Sequence, residues 1–578
     1  MSTVPPSGTV APVDAFRAAR DLLLDLREDH SAALERFAFP DVGPTWCWAI
    51  DWFDAVARGN DADALVVLHE DGTRDVRTFD ELVDASDRTA RWLAGLGIGR
   101  GDAVMVMLGN QVELWEVMLG VMKLGAVLVP TAMAAGPSDL ADRLVRADAR
   151  AVVTTPADAA KLEGLREAER LVKVVVGERD GWESLSSAAA CASGPLEHPG
   201  TAPDDALLLY FTSGTTSRPK LVQHTQVSYP VGHLTTMYWL GLTPGDRHLN
   251  ISSPGWAKHA WSCLFAPWNA QACVVVLDYA RFDAGSLVTR LREEAVTTLC
   301  APPTVWRMLI NADLGERPPA LREVVGAGEP LNPEVISRVQ QQWGLPLRDG
   351  FGQTETTAQI ANTPGSVLKP GSMGRPLPGM PVALVDPQTG APVVGPGEGE
   401  LCLDLSGDPL PLMAGYLGDP TRQAEATAGG FYHTGDVATR DEDGYLTYVG
   451  RTDDVFKASD YKISPFELES VLIEHAAVAE AAVVPAPDPV RLAVPKAYVA
   501  LAPGFEPTAE VARDILRHAR ENLAPYLRVR RVEFFDLPKT ISGKIRRVEL
   551  RSREEQLADA SVSTEFRDSD FPELRGGR

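Results

Sequence analysis

Paired cysteines are missing from this 578-residue chain: Cys47, Cys191, Cys263, Cys273, Cys300 and Cys402 include no CxxC pair and no neighbouring histidine pattern. That spacing argues against a disulfide framework or a zinc site, and scattered thiols suit a reduced, cytoplasmic setting. Long apolar runs are absent too. No stretch approaches the roughly eighteen residues of a membrane span, and the opening MSTVPPSGTVAPV lacks a charged segment followed by an apolar one. Neither a signal peptide nor stable membrane association is expected. Positive charge is scarce: 55 Lys and Arg stand against 79 Asp and Glu, a net charge of −24. Such a surface repels nucleic acid and anionic bilayers. Any phosphate ligand must therefore be gripped by a local cluster of donors and cations.

What is present is ordinary for a globular protein, with 45% hydrophobic and 23% charged residues. The length exceeds what one core supports, so several subdomains are expected. Residues 1–13 read as disordered. Asp14–Phe37 has apolar residues at helical spacing, and the aromatic cluster Trp46–Phe53 reads as core. From Ala64 to Pro130 strands and helices alternate: Ala64–His69, the helix Phe79–Leu96, Ala103–Leu108, the helix Glu113–Leu124, then Ala126–Pro130. Apolar strands alternating with helices predict a mostly parallel, helix-covered sheet. A helix is expected over Val227–Leu240 and another over Pro333–Trp343. Residues 371–406 carry turn signals of β-hairpins. After Gly450 a compact, separately patterned region follows, and residues beyond 557 are polar and aperiodic, as in a disordered tail.

Chemistry concentrates in short motifs. Tyr210–Lys220 reads YFTSGTTSRPK: a strand opens into small hydroxyl residues around a glycine and closes on a lysine. Backbone N–H groups curled in such a loop suit an anion, and the lysine supplies a compact charge. It is not the Walker loop, because Pro219 precedes Lys220 and Leu221 follows it; a plain polar surface loop is the alternative. Gly326–Pro330 reads GAGEP at a strand exit. Arg348–Thr357 reads RDGFGQTETT, offering an aromatic face, hydroxyls and the Glu355 carboxylate. Then come YHTGDV (Tyr432–Val437), GRTDD (Gly450–Asp454), KASDYK (Lys457–Lys462) and LPKTISGKIRR (Leu537–Arg547).

In that order the motifs resemble the adenylate-forming superfamily of acyl-CoA synthetases, luciferases and amino-acid-activating domains, and look most like medium-chain acyl-CoA synthetases. The likeness runs from about Ala64 to Arg551. It implies an α/β fold: a large N-terminal domain (14–450) of helix-covered β-sheets with a β-barrel-like subdomain, a hinge (451–454), and a small, mobile α+β C-terminal domain (455–556). It implies an enzyme that condenses a carboxylic acid with ATP and Mg2+ to an acyl-adenylate, then passes the acyl group to CoA. Ser213, Gly214, Thr215, Thr216 and Lys220, with Thr212 at the loop's base, match the phosphate loop, and Ser217 stands where glycine is usual. Gly328, Glu329 and Pro330 match the adenine-side turn. Asp349, Gly350, Phe351, Gly352, Gln353 and Thr354 match the strand exit beside adenine and phosphate. Glu355 and Thr215 match the magnesium ligands, Asp436 the ribose carboxylate, and Arg451 an arginine beside ribose and phosphate. Asp453 takes the hinge position, and Lys462 faces the nucleotide phosphate. Lys544 matches the catalytic lysine that reaches the carboxylate and α-phosphate.

The resemblance also speaks to substrate and acceptor. Gly352 stands where acetate-selective relatives carry tryptophan, which implies an acid larger than acetate or propionate. Trp256 is the expected wall of the acyl pocket, while Lys258 and His259 either read a polar group on the acid or, as the favoured expectation, lie on the surface. No aspartate lies between Ile251 and Ala270 to hold an amino group, which argues against an amino acid. Ser459 and Asp460 fall in the segment facing pantetheine. Asp460 replaces the usual glycine, and its charge beside a thiol disfavours the thiolate. That leaves a carrier protein open as an alternative acceptor, and a non-catalytic nucleotide-binding module as the reading from another class. A homodimer is also left open.

Overall fold

The segment Val112–Lys123 is apolar almost all round, and a helix of that kind must be buried on every side. The computed structural model describes residues 11–212, 218–312, 314–458, 461–488, 492–539, 545–557 and 564–574. In it, Val112–Lys123 is a helix inside the main core, with Trp115, Met118 and Leu119 packed among the aromatic side chains of Trp48 and Phe265. Its terminal Lys123 is buried against Asp54 at 2.8 Å and Asp87 at 2.6 Å; a charge can be buried when it is paired in this way.

The chain packs as two units: one runs to residue 212 and then takes in 218–382 and 403–432, the other takes in 383–402 and the chain from 433. The first unit is built on two large sheets. In the eight-stranded sheet, Ala206–Thr212, Val127–Pro130, Ala103–Met107, Ala149–Thr154 and Val172–Val175 run parallel. In the nine-stranded sheet, Leu347–Gln353, Glu323–Ala327, Thr298–Ala301, Arg247–Asn250, Cys273–Asp278 and Asp63–His69 are successive parallel neighbours. Most of these strands, such as Ala103–Met107 and Cys273–Asp278, are apolar, the pattern expected from the alternation.

Two expected helices differ in extent. Asp14–Phe37 is two helices, Pro12–Asp25 and His30–Arg36, the second capped by the Asp29 carboxylate, which accepts from the Ala32 N–H. The helix expected from Val227 starts only at His233. Thr225 and Ser228 exchange side-chain to backbone hydrogen bonds, Thr225 N–H to Ser228 Oγ at 2.8 Å and Ser228 N–H to Thr225 Oγ1 at 3.0 Å. That local pairing holds a turn where periodicity suggested helix.

Largely within the second unit, the predicted hairpins form a four-stranded sheet, Val382–Val385, Gly397–Asp404, Phe431–Arg440 and Leu446–Arg451, which no pairing among the described residues closes into a barrel. A second four-stranded sheet contains Val478–Asp488, Leu492–Leu501, Arg531–Phe534 and Glu565–Arg567. The last strand corrects the disordered tail expected beyond 557. Phe566, Phe571 and Leu574 pack on the core of this region, and the Glu565 carboxylate meets the buried Lys496 ammonium at 2.6 Å. Three apolar residues in a polar stretch were enough to hold it. Among the described residues, no helix is long and apolar enough to cross a membrane.

Candidate active site

The strand Ala206–Thr212 turns back as Lys220–Thr225, with Thr212 directly opposite Lys220. The hairpin therefore fixes both ends of the predicted phosphate loop, while Ser213, Gly214, Thr215, Thr216 and Ser217 themselves lie outside the described residues. The Thr212 hydroxyl is out of solvent and has no hydrogen-bond partner among the described residues, so it is a polar group at the loop's base that an added ligand could satisfy.

Lys220 does not stand alone. Its ammonium donates to the Tyr416 hydroxyl at 3.2 Å, lies 5.0 Å from that ring's centre, and sits 3.5 Å from Glu355 Oε1. The Tyr416 hydroxyl in turn donates to Glu355 Oε1 at 2.9 Å. Burial and the adjacent Glu355 charge push the phenol pKa far up, so it remains a donor. Tyr416 reaches this place because Gly415–Tyr416 pairs antiparallel with Val222 and Gln223. Sequence reading singled out Lys220 and Glu355 but passed over Tyr416; the GYLGDP stretch carries no chemistry on its own.

Glu355 follows the strand Leu347–Gln353, whose exit contains the other predicted residues. The Asp349 carboxylate is buried and accepts from the Gly350 N–H at 2.9 Å and the Leu331 N–H at 3.3 Å. It thereby ties this strand to the turn Gly328–Pro330, where Gly328 takes φ 110°. Burial outweighs those bonds and raises its pKa to about 7. Gln353 accepts from the Tyr432 hydroxyl at 2.9 Å. The Thr354 carbonyl accepts from His224 Nε2 at 2.6 Å, so His224 carries its proton there and takes the Ser228 hydroxyl on Nδ1 at 2.9 Å. Burial holds His224 neutral, with its pKa lowered to about 3. His224 is a second support that the motifs did not reveal. Gly352 answers first to the backbone: a Cβ there would lie 2.2 Å from the Thr357 carbonyl oxygen of the paired strand. Phe351 is half-buried beside it.

Trp256 lines a narrow cavity with Val106, Leu114, Met118, Tyr210 and His259, an apolar lining with one polar edge. The expected surface position of Lys258 and His259 is corrected. His259 is buried, packs 5.5 Å from Trp115 and bonds Asn110 Oδ1 through Nε2 at 3.1 Å; burial lowers its pKa to about 3. Lys258 is half-buried and donates to the Ala327 carbonyl at 3.3 Å. Both face inward because the short helix Ala257–Ala260 continues into the buried segment Trp261–Phe265.

In the second unit, Asp436 and Arg451 are cross-strand partners, with Arg451 Nη1 donating to Asp436 Oδ2 at 3.2 Å and to the Thr434 carbonyl at 3.0 Å. The Tyr448 hydroxyl reaches the other Asp436 oxygen at 3.3 Å. Burial disfavours the Arg451 charge, but Asp436 and Asp453 outweigh it, so its pKa rises. Gly435 has φ 72°, and a Cβ there would lie 2.7 Å from Arg451 Nη2; only glycine leaves the guanidinium in place. Asp453 sits 3.5 Å from Arg451 Nε, and its neighbour Asp454 pairs with Arg551 and Arg547 of the helix Arg547–Leu557. Arg547 also forks onto Glu469, so part of the basic run after Lys544 is half-buried structure. Ser459, Asp460 and Lys544 lie outside the described residues, as does the side chain of Lys462.

Residues 52–417 match the family model described as AMP-binding enzyme, and residues 467–544 match the AMP-binding enzyme C-terminal domain. The chain is 41% identical to a 4-hydroxybutyrate–CoA ligase of Metallosphaera sedula, over 88% of this chain and 91% of that protein. It is 38% identical to a mitochondrial acyl-coenzyme A synthetase of Mus musculus, over 82% of this chain and 84% of that one. Among solved structures, an anthranilate CoA ligase with anthranoyl-AMP aligns at TM-score 0.80 and 28% identity, covering 89% of this chain and 98% of that one. A benzoate CoA ligase of Burkholderia xenovorans aligns at 0.76 and 26%, covering 88% and 100%.

Proposed function

The chain belongs to the AMP-binding enzyme family and is an AMP-forming acid–thiol ligase using ATP and CoA, and on that footing we propose that its acid is larger than propionate: a medium-length, branched or aryl carboxylic acid. The apolar side chains beside Trp256, Leu114, Met118, Val106 and Tyr210, support an apolar acyl group by their character; the cavity they enclose is only about 10 Å³, so Trp256 must move to admit one. Each additional buried methylene would contribute about 0.8 kcal/mol. Relatives named for 4-hydroxybutyrate, benzoate and anthranilate fit the same size range.

The observation that carries the adenylation roles is the cluster of Lys220, Tyr416 and Glu355. We assign Lys220 and the loop 213–217 to the β- and γ-phosphates, and the unpartnered Thr212 hydroxyl at the loop's base supports that. Glu355, with Thr215, would hold magnesium. Both contacts of Glu355 described above reach Oε1, so Oε2 is the oxygen a cation would use. Magnesium when bound offsets phosphate charge. Asp436 is assigned to the ribose hydroxyls, with Arg451 holding its carboxylate in place. Lys544 is assigned to the negative charge that builds at the transferring phosphorus. Six unpaired thiols support a reducing, cytoplasmic setting.

ATP–pyrophosphate exchange with acids from acetate to aryl carboxylates tests this. Exchange with acids beyond propionate, followed by CoA-dependent AMP release, is expected. A preference for acetate would overturn the acid assignment. A burst of adenylate without CoA-dependent AMP release would point to a carrier protein.

A further inference from the structure

Two neighbouring strands of the second unit, Gly397–Asp404 and Phe431–Arg440, bring together three side chains that the ligase reading does not use. Glu400 and Cys402 are two apart on one strand and so share a face. His433 comes from the other. Its Nδ1 lies 3.0 Å from Glu400 Oε2 and 3.6 Å from Cys402 Sγ. One ligand atom from each side chain falls within 4.8 Å of the others, and among the described residues this is the group of such side chains that does so.

The spacing suits a metal. Zinc bound tetrahedrally, with Zn–S about 2.3 Å and Zn–N about 2.0–2.1 Å, holds its sulfur and nitrogen ligands roughly 3.5–3.6 Å apart. The carboxylate is anchored from behind, because Glu400 Oε1 accepts the Gly435 N–H at 3.1 Å. A ligand whose second atom is hydrogen-bonded is already oriented, as in established metal sites. The Glu400 and His433 side chains retain 13% and 27% exposure, so a cation can enter from their edge while the thiol stays covered.

We propose that Glu400, Cys402 and His433 form a binding site for a thiophilic divalent cation, zinc by preference, with water as the fourth ligand. Thiol and imidazole donors select zinc over magnesium, which prefers oxygen ligands. Binding forms Zn–S, Zn–N and Zn–O bonds and releases the thiol proton to solvent. Before the cation arrives the Glu400 carboxylate accepts from His433 Nδ1–H, so binding moves that proton to Nε2, and no oxidant or reductant is needed. His433 lies on the same strand as Asp436, three residues before it, and Glu400 already accepts from the Gly435 N–H between them.

The test uses the full chain, stripped by a chelator, exposed to Zn2+ or to Co2+ as a spectroscopic probe, and gel-filtered. Elemental analysis should find one zinc per chain. Cobalt should give tetrahedral d–d absorption and a thiolate-to-cobalt charge-transfer band. Cys402→Ser should abolish that band, and Glu400→Gln and His433→Asn should each weaken retention more than about tenfold. Cys191→Ala, which removes a partly exposed thiol elsewhere, should change nothing. Thermal unfolding of each variant separates loss of metal from loss of fold. No retention above the Cys402→Ser background, or a cobalt spectrum indifferent to that substitution, overturns the proposal. Because the readout is metal, its failure leaves the ligase reading untouched.

Discussion

Replacing Tyr416 with phenylalanine removes one oxygen atom from between Lys220 and Glu355 and nothing else. The lost atom accepts from Lys220 at 3.2 Å and donates to Glu355 at 2.9 Å. The ring that Lys220 lies over, 5.0 Å from its centre, is retained, so the lysine keeps its packing. A hydrogen bond to a charged group is worth about 1.5–3 kcal/mol. The direct Lys220–Glu355 approach at 3.5 Å remains and sets the loss toward the lower half of that range. If these groups hold Mg-ATP, kcat/KM for ATP in pyrophosphate exchange should fall by roughly 10- to 50-fold, at 1.36 kcal/mol per tenfold. KM for the acid should hardly move. The second half-reaction, started from a synthetic acyl-adenylate and CoA, should proceed near the wild-type rate. Exchange within twofold of wild type would refute the assignment. An equal loss in both half-reactions would show that the substitution damages the fold instead.

Three further substitutions probe the supports. Asp349→Asn removes a buried carboxyl whose pKa is raised to about 7. The folded protein holds that proton where the unfolded chain releases it, so its stabilising effect is present at acid pH and is lost as pH rises from about 4 to 7. The melting temperature of the wild type should therefore drop more than the variant's between pH 5 and pH 8, and parallel profiles would rule this out; the buried histidines contribute equally to both proteins. Gly435→Ala costs about 1–2 kcal/mol for its left-handed backbone and drives a methyl group against Arg451, so KM for ATP should rise by about tenfold or more; an unchanged KM would mean that the Asp436–Arg451 pair does not hold the ribose. Gly352→Ala places a Cβ 2.2 Å from the Thr357 oxygen, so melting temperature and activity should fall for every acid alike, whereas an unchanged melting temperature with a shift toward shorter acids would show that the glycine serves the acyl pocket.

How much the sequence revealed follows from how far apart the cooperating residues lie. The helix Pro333–Trp343 was readable to the residue, because caps and periodicity are local signals. Candidate chemical residues could be picked out wherever the motif is contiguous, as in Asp349–Glu355, and their roles stand as proposals. What supports them was not. Tyr416 meets Lys220 across 196 positions and His224 meets Thr354 across 130, and neither carries a motif of its own. The same distance hid the pairing of Cys402 with His433, 31 positions apart, where the absence of CxxC spacing had pointed away from a metal. His259 shows the converse error: with Lys258 it was expected on the surface, but a four-residue helix running into apolar sequence carries both inward. Local polarity reports what a side chain is, while burial reports what the sheet around it needs. At Gly352 these two accounts compete for one residue. The resemblance reads its missing side chain as room for the substrate, and the backbone reads it as room for a paired strand. A Cβ 2.2 Å from a carbonyl oxygen is a steric constraint that no acyl chain length relieves, which is why the strand, rather than the pocket, is expected to decide the outcome at that position.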